Sequence, residues 1–212
     1  MRTILFPSSL LVLAFTLFNC GGTENTPVKD FSKEVDEGSF QSSTYSNEAL
    51  GWKMSFPETW VITGKASLEN LDKRSKELNG EDANGLGNVK RLLAFQKNFD
   101  NNFQSTRESF SGKSAADYER IKFGIRKQLY FAYLDQRFNV DTASSIQKID
   151  GLPFDCFEIE LFDRTGAKFA TQLLYTKIIN GNYFSAIINF NNEKDKMKLV
   201  EAFKKSTFSK RD

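Results

Sequence analysis

The sequence predicts an α+β domain, broadly of the α/β class, with an antiparallel sheet of about six strands flanked by helices. Three observations predict it. Asn180-Gly181 stands between two apolar runs, a strong short-range hairpin mark. Trp52, Met54 and Phe56 alternate with Lys53 and Ser55, the period of a half-buried strand. Tyr118, Ile121, Ile125, Leu129 and Ala132 recur at spacings of three and four, the period of an amphipathic helix.

The strand over 52–56 stops at Pro57, and Trp60 and Ile62 begin a second short strand. Ser67 opens an amphipathic helix carrying Leu68, Leu71 and Leu78 on one face, and a Gly/Asn-rich loop follows over 79–88. Leu92 to Gln96 reads as a strand, and the polar, Asn-rich stretch after it as a linker. Ser114 and Asp117 then have the spacing of a capping box, with the side chain of each able to serve the other's backbone N–H.

The C-terminal third is the most explicit. A type I′ turn at Asn180-Gly181 places Leu173 opposite Ile188 and Tyr175 opposite Ala186, on one apolar face with Phe184 and Phe190. At Arg164-Thr165-Gly166 a two-residue loop would turn Glu158 and Glu160 onto that face. A three-residue loop with Gly166 left-handed turns Phe157, Ile159 and Leu161 there instead. Burying two carboxylates is the costlier alternative, so the three-residue loop is expected. The result is a meander of strands 154–163, 168–178 and 182–190. A final helix over about 193–205 offers Met197, Val200 and Phe203 to the sheet.

At the other end, Arg2 precedes an apolar run from Ile4 to Phe18 that stops at Asn19-Cys20-Gly21-Gly22. A spanning helix needs about 20 apolar residues, and this run offers 15. The pattern resembles a bacterial lipoprotein signal, which implies that residues 1–19 are removed and Cys20 becomes the acylated (palmitate-bearing) first residue. Acyl chains contribute about 0.8 kcal/mol per buried methylene, and two or more give a stable membrane anchor. Residues 20–43, polar and rich in Gly, Ser, Thr and acids, read as a flexible tether ahead of a single domain over 44–208.

Composition removes several function classes. Without Arg2 the chain carries 28 basic and 27 acidic residues, a balance unlike that of a nucleic-acid binder. It contains no histidine, so Ser-His and Cys-His pairs and histidine-ligated metal sites are excluded. With Cys20 acylated, Cys156 has no disulfide partner within the chain. Packing must supply the stability, and 21 phenylalanines provide the material.

Three constellations invite a chemical reading. Gly112-Lys113-Ser114 before a helix has the look of a phosphate loop, but Arg107 stands where that motif needs its first glycine, and helix capping accounts for Ser114. Cys156 is expected between Leu174 and Ile187, an apolar setting that raises a thiol pKa and makes it inert. Glu158 and Glu160 share a strand face near Asp163, with Gln172 and Asn189 as expected neighbours. Paired carboxylates can serve glycoside hydrolysis or hold hard cations, yet strand alternation alone produces such pairs.

The run Tyr45-Ser46-Asn47-Glu48-Ala49-Leu50-Gly51-Trp52-Lys53-Met54-Ser55-Phe56-Pro57-Glu58-Thr59-Trp60 resembles the opening of PsbP-like and DcrB-like domains, where a strand ends in Pro-x-x-Trp. Asp150-Gly151-Leu152-Pro153 before a strand fits as well, as does Gly181-x-Tyr183-Phe184 in a late hairpin followed by a helix. The resemblance spans about residues 44–208 and implies a PsbP-like α-β-α sandwich on a secreted or lipid-anchored protein. It implies no reaction. The leading expectation is a non-enzymatic accessory or protein-binding module, needing no cofactor or metal, tethered through Cys20 and facing the periplasm with an envelope protein as partner. A carrier of an apolar ligand between sheet and helices stands second, and a hydrolase using Glu158 and Glu160 third.

Overall fold

The computed structural model describes residues 31–64, 89–112 and 114–209. The signal segment, Cys20, tether residues 20–30, the helix expected from Ser67 and Lys113 all lie outside the described residues. Among the described residues, eleven strands form two antiparallel sheets. The smaller runs in the order β1 (Ser39–Gln41), β2 (Thr44–Asn47), β3 (Trp52–Ser55) and β11 (Thr207–Phe208). The larger contains β4 (Val61–Ile62), β5 (Lys90–Asn98), β6 (Asn101–Ser109), β7 (Asn139–Ile149), β8 (Leu152–Phe162), β9 (Lys168–Ile179) and β10 (Asn182–Phe190). Its spatial order is β4-β5-β6-β10-β9-β8-β7. Helix α1 (Ala115–Asp135) covers the outer face of the large sheet, and α2 (Glu193–Lys204) packs with the small sheet on the inner face. This is the flanked, open-sheet α+β sandwich expected.

The phenylalanines build the inner face. Trp52, Phe154, Phe184 and Phe203 are fully buried, with Trp52 and Phe184 rings 5.1 Å apart and Phe154 and Phe203 rings 5.9 Å apart. Rings in mutual contact therefore occupy the space between the large sheet and α2, the place that the second-ranked reading, an apolar-ligand carrier, would need for its cargo. On the outer face Phe157, Ile159, Leu161 and Leu174 meet Ile125, Leu129 and Tyr133 of α1. That patch is smaller, and all three helix residues stay partly exposed.

The Asn180-Gly181 turn forms as expected, with φ of +48° and +73°, and pairs Leu173 with Ile188 and Tyr175 with Ala186. The next register does not. Gly166 is left-handed at φ +83° and Phe162 pairs with Lys168, as the three-residue loop requires. A bulge at Phe169 then inserts one residue, so Leu161 pairs with Ala170 and Phe157 with Leu174. One extra residue exchanges the two faces of a strand. Phe157, Ile159 and Leu161 consequently lie beneath α1, and Glu158 and Glu160 take the inner side. The carboxylates escape full burial because they lie beyond the aromatic cluster, where Lys168 reaches Glu160 at 2.8 Å.

Other expectations are corrected as well. Folded structure starts before Thr44: Val35 is buried, Phe31 packs on Phe40, and Arg107 forks onto Glu37 with two contacts of 2.6 Å. Residues 31–43, expected to belong to the tether, are thus part of the folded domain. The supposed linker after Gln96 is β6, a central strand whose inward residues are Asn101, Phe103 and Ser105. The stretch before Asp150, to which the sequence reading assigns no element, is β7, joined to β8 by a second type I′ turn at Asp150-Gly151. In α2 the row Asp195, Leu199, Phe203 faces inward and Met197 is 59% exposed. Lys97 holds Asp195 at 2.7 Å and Asn192 caps it, which fixes the helix's rotation. Ala132 of α1 likewise turns outward, and Tyr133 takes the inner position.

Candidate functional site: the polar seam beneath α1

Helix α1 starts at the expected box: Ser114 Oγ accepts from the Asp117 N–H at 3.2 Å, and Asp117 Oδ2 accepts from the Ser114 N–H at 3.1 Å. The Ser114 side chain is thereby occupied as a cap, as its spacing implied. The capped start fixes the phase of the helix, so that Tyr118, Lys122 and Arg126, each four residues apart, project over β8 and β9. Strand alternation brings Asp155 up to meet them.

The Tyr118 hydroxyl donates to Asp155 Oδ2 at 2.7 Å and lies 3.1 Å from Thr176 Oγ1. Lys122 Nζ donates to Asp155 Oδ1 at 2.8 Å and to Glu119 Oε1 at 2.6 Å, and lies 5.0 Å from the centre of the Tyr118 ring. The Arg126 guanidinium is 3.8 Å from Asp155 Oδ1 and lies over the Phe157 ring at 5.1 Å. The Lys122 side chain is 10% exposed and that of Asp155 19%. Burial pulls the Asp155 pKa upward, but the hydrogen bonds from Lys122 and Tyr118 outweigh it and hold the carboxyl below its ordinary range. Burial likewise works against the Lys122 ammonium, and Asp155 and Glu119 more than compensate. Burial pushes the Tyr118 phenol up. Asp155, Lys122 and Tyr118 are thus held in their ordinary charge states.

Beside the seam a groove of about 420 Å³ opens between Phe110, Gly112, Tyr118, Pro153, Asp155 and Lys177. Lys177 Nζ donates to the Pro153 carbonyl at 2.9 Å, and burial lowers its pKa while Asp155 opposes the shift. The groove therefore offers one cation, one carboxylate edge and two apolar walls, a surface for recognition.

The residues singled out from sequence fall elsewhere. Cys156 is buried, as expected, but in a different place: between Ser145 and Tyr175 on the inner face, not between Leu174 and Ile187. Burial raises its thiol pKa, partly opposed by Tyr175 and Ser145. Glu158 pairs across the strands with Leu173 and Ala143, and Glu160 with Thr171 and Asp141, in place of the expected Gln172 and Asn189. Asp163 closes the turn, accepting from the Thr165 N–H at 2.8 Å and the Ala167 N–H at 3.0 Å. The described residues hold no group of three or more Asp, Glu or Cys placed to share a cation. Sequence reading missed the seam itself. Its signal was the row Tyr118, Lys122, Arg126, polar positions on the helix face that also carries Ile125 and Leu129.

Against this geometry the chain can be compared with known proteins. No family model matches it, and no curated protein matches it either. Among solved structures it is similar to the solution structure of cyanobacterial PsbP (CyanoP) from Synechocystis sp. PCC 6803, at a TM-score of 0.52 and 12% identity over 91% of this chain and 99% of that one. A crystal structure from Bacteroides thetaiotaomicron aligns at a TM-score of 0.42 and 11% identity, over 81% of this chain and 50% of that one. The likeness to CyanoP places the chain in the PsbP-like fold, in agreement with the phrases around Trp52, Asp150 and Gly181.

Proposed function

We propose that this chain is a lipid-anchored envelope protein, held through acylated Cys20 and facing the periplasm, whose domain acts as a non-catalytic accessory module docking a protein partner. The observation that carries this reading is the seam beneath α1. Asp155, Tyr118 and Lys122 satisfy one another and hold ordinary charge states, which suits a fixed recognition surface better than proton transfer near neutral pH. The lipoprotein-like pattern ending at Cys20 supports the anchor, and the PsbP-like fold fits a surface-presenting module. Among the described residues no helix is long and apolar enough to cross a membrane.

Fractionation of cells carrying Cys20→Ala tests the anchor. The variant is expected to leave the membrane fraction or to accumulate with its signal uncut. A variant that is cut normally and stays on the membrane contradicts acyl anchoring. In-cell crosslinking at the groove, through a photoreactive residue replacing Ile178, which also lines it, tests the docking. A discrete crosslinked protein is expected, and its loss in Lys177→Glu supports the groove as the contact.

A further inference from the structure

Strand β7 ends the large sheet, and among the described residues no strand pairs with its outer edge. It is eleven residues long, contains no proline, glycine or bulge, and carries charge only at Asp141 and Lys148. Natural edge strands are usually guarded by such devices, because unpaired N–H and C=O groups recruit another strand. Which groups are unpaired follows from the turn. Asp150-Gly151 is a two-residue turn, so the pair closing it, Ile149 with Leu152, exchanges both backbone hydrogen bonds. Every second residue back from Ile149 then bonds to β8, and the residues between them face outward. These are Val140, Thr142, Ser144, Ile146 and Lys148, with ten backbone groups among them.

We propose that β7 pairs with β7 of a second copy of this chain, antiparallel about a twofold axis through Ser144. The outward residues are symmetric about Ser144, so this register satisfies all ten groups. Ser144 meets the partner's Ser144, Thr142 meets the partner's Ile146, and Val140 meets the partner's Lys148. Centring the axis on Ser145 would also match outward residues with one another, but would leave Val140 unpaired. About Ser144 no like charges face each other, since Asp141 falls opposite the partner's Gln147 and Lys148 opposite the partner's Val140. A foreign extended segment need share none of this symmetry.

The flank above the edge is suited to the same partner. Arg126 reaches Ser144 Oγ at 3.4 Å, which places its side of α1 over β7. Phe123, Tyr130 and Leu134 follow Arg126 within about 80° around the helix. Phe123 is 68% exposed, Leu134 36%, and Ile146 on the strand below 62%. The twofold brings the same flank of the second helix alongside. Because the axis is perpendicular to the sheet, both small sheets lie on one side, and Phe31, the first described residue, packs on Phe40 there in each copy. That suits two chains anchored in one membrane. This last point rests on the anchor proposed above, whereas the pairing itself does not.

Sedimentation of the full chain in detergent, over a wide range of concentration, gives the first test: a reversible dimer is expected, and a chain that stays monomeric throughout overturns the proposal. Ser144→Cys gives the second. Cα atoms in a pair of this kind are about 5.5 Å apart, within disulfide range, so oxidation is expected to link the dimer through position 144. Ser145→Cys, whose two copies would be offset by two residues, is expected to link no better than the unsubstituted chain. Linking through 145 and not 144 contradicts the register. Ser144→Pro removes an outward N–H and leaves the β8 ladder intact, so a folded monomer is expected. Should that variant fail to fold, Ser144→Lys places two ammonium groups on the axis and is expected to weaken association by about tenfold or more. A folded Ser144→Lys chain that dimerises as tightly as the parent overturns the proposal.

Discussion

On the inner face of the large sheet Phe154, Phe184 and Phe203 are wholly buried and in contact with one another, whereas on the outer face α1 lies on a thin apolar patch and a cluster of ions. Both faces belong to the same strands, so the difference comes from their alternate residues. Inner-facing positions on β8 to β10 supply rings and aliphatic side chains through the middle of the sheet. Outer-facing positions supply Asp155, Thr176 and Gln172 among the apolar ones. A packed aromatic face resists change through many small contacts. A polar seam depends on a few strong ones, and losing one leaves a buried partner unsatisfied. The inner face is thus suited to holding the fold, and the outer one to presenting groups that a partner can meet.

The contrast is tested most severely at the inner face. Phe184→Ala removes a ring that touches Trp52, Phe154, Phe203 and Phe208, and a loss of about 3–5 kcal/mol in denaturant unfolding is expected. Leu129→Ala, beneath α1, is expected to lose about 1–2 kcal/mol, because the side chain is only partly buried. Equal losses would erase the distinction.

Asp155→Asn comes next. It leaves Lys122 nearly buried with only Glu119 as anionic partner, and about 2 kcal/mol is expected once partial exposure is allowed for. Its pH dependence has a definite sign. The folded pKa of Asp155 lies below its ordinary 3.8, so its contribution is complete well above that value and fades as pH falls through the folded pKa. Lys122 is shifted above 10.5, so its share is present below that value and is lost as pH rises through the folded pKa. The stability gap between parent and Asp155→Asn should therefore be flat around neutrality and shrink in strong acid and in strong base. A gap that grew in acid would contradict the assignment of charges.

Gly181→Val probes the strand register on which both faces depend. A Cβ at position 181 would meet no atom within 4 Å, so the whole penalty comes from a β-branched residue held at φ +73°. About 1–2 kcal/mol is expected by the same denaturant melt, and an unchanged midpoint would contradict a tight type I′ turn. Cys156→Ser should show the smallest effect, about 1 kcal/mol, because it sets a hydroxyl facing the aromatic core. The thiol itself should resist labelling until the chain unfolds. Rapid native labelling would show that the inner face opens as readily as the outer one.

Much of the fold was legible because local chemistry and tertiary structure agree. Asn180-Gly181 demands positive φ at both residues, and Ser114 with Asp117 demands a helix start, wherever the rest of the chain lies. Three parts were not legible, each for its own reason. The bulge at Phe169 leaves no local mark, since one inserted residue preserves both the turn and the alternation on either side of it. Phe169 instead packs at a tilt against Phe138, the ring centres 5.0 Å apart, a long-range contact with no pattern in sequence. Strand β6 reads as polar because it lies between β5 and β10, where backbone ladders and Asn101 and Ser105 hydrogen bonds replace apolar side chains. Strand β7 reads as polar because it is an exposed edge, although Asp150-Gly151 carried the same turn signal as Asn180-Gly181. Of the three, the bulge decides the seam, because the register it sets turns Asp155 to the face of β8 that lies beneath Lys122.

Native-state hydrogen exchange on the full chain, comparing α1 with β10 in the parent and in Asp155→Asn, tests the difference between the two faces most directly. In the parent, amides of α1 between Lys122 and Tyr133 should open well before those of β10. In Asp155→Asn the α1 amides should exchange at least about tenfold faster, with those of β10 accelerated less. If α1 and β10 instead exchange as one unit in the parent, and Asp155→Asn accelerates both equally, then one cooperative core holds both faces and the two do not differ in stability.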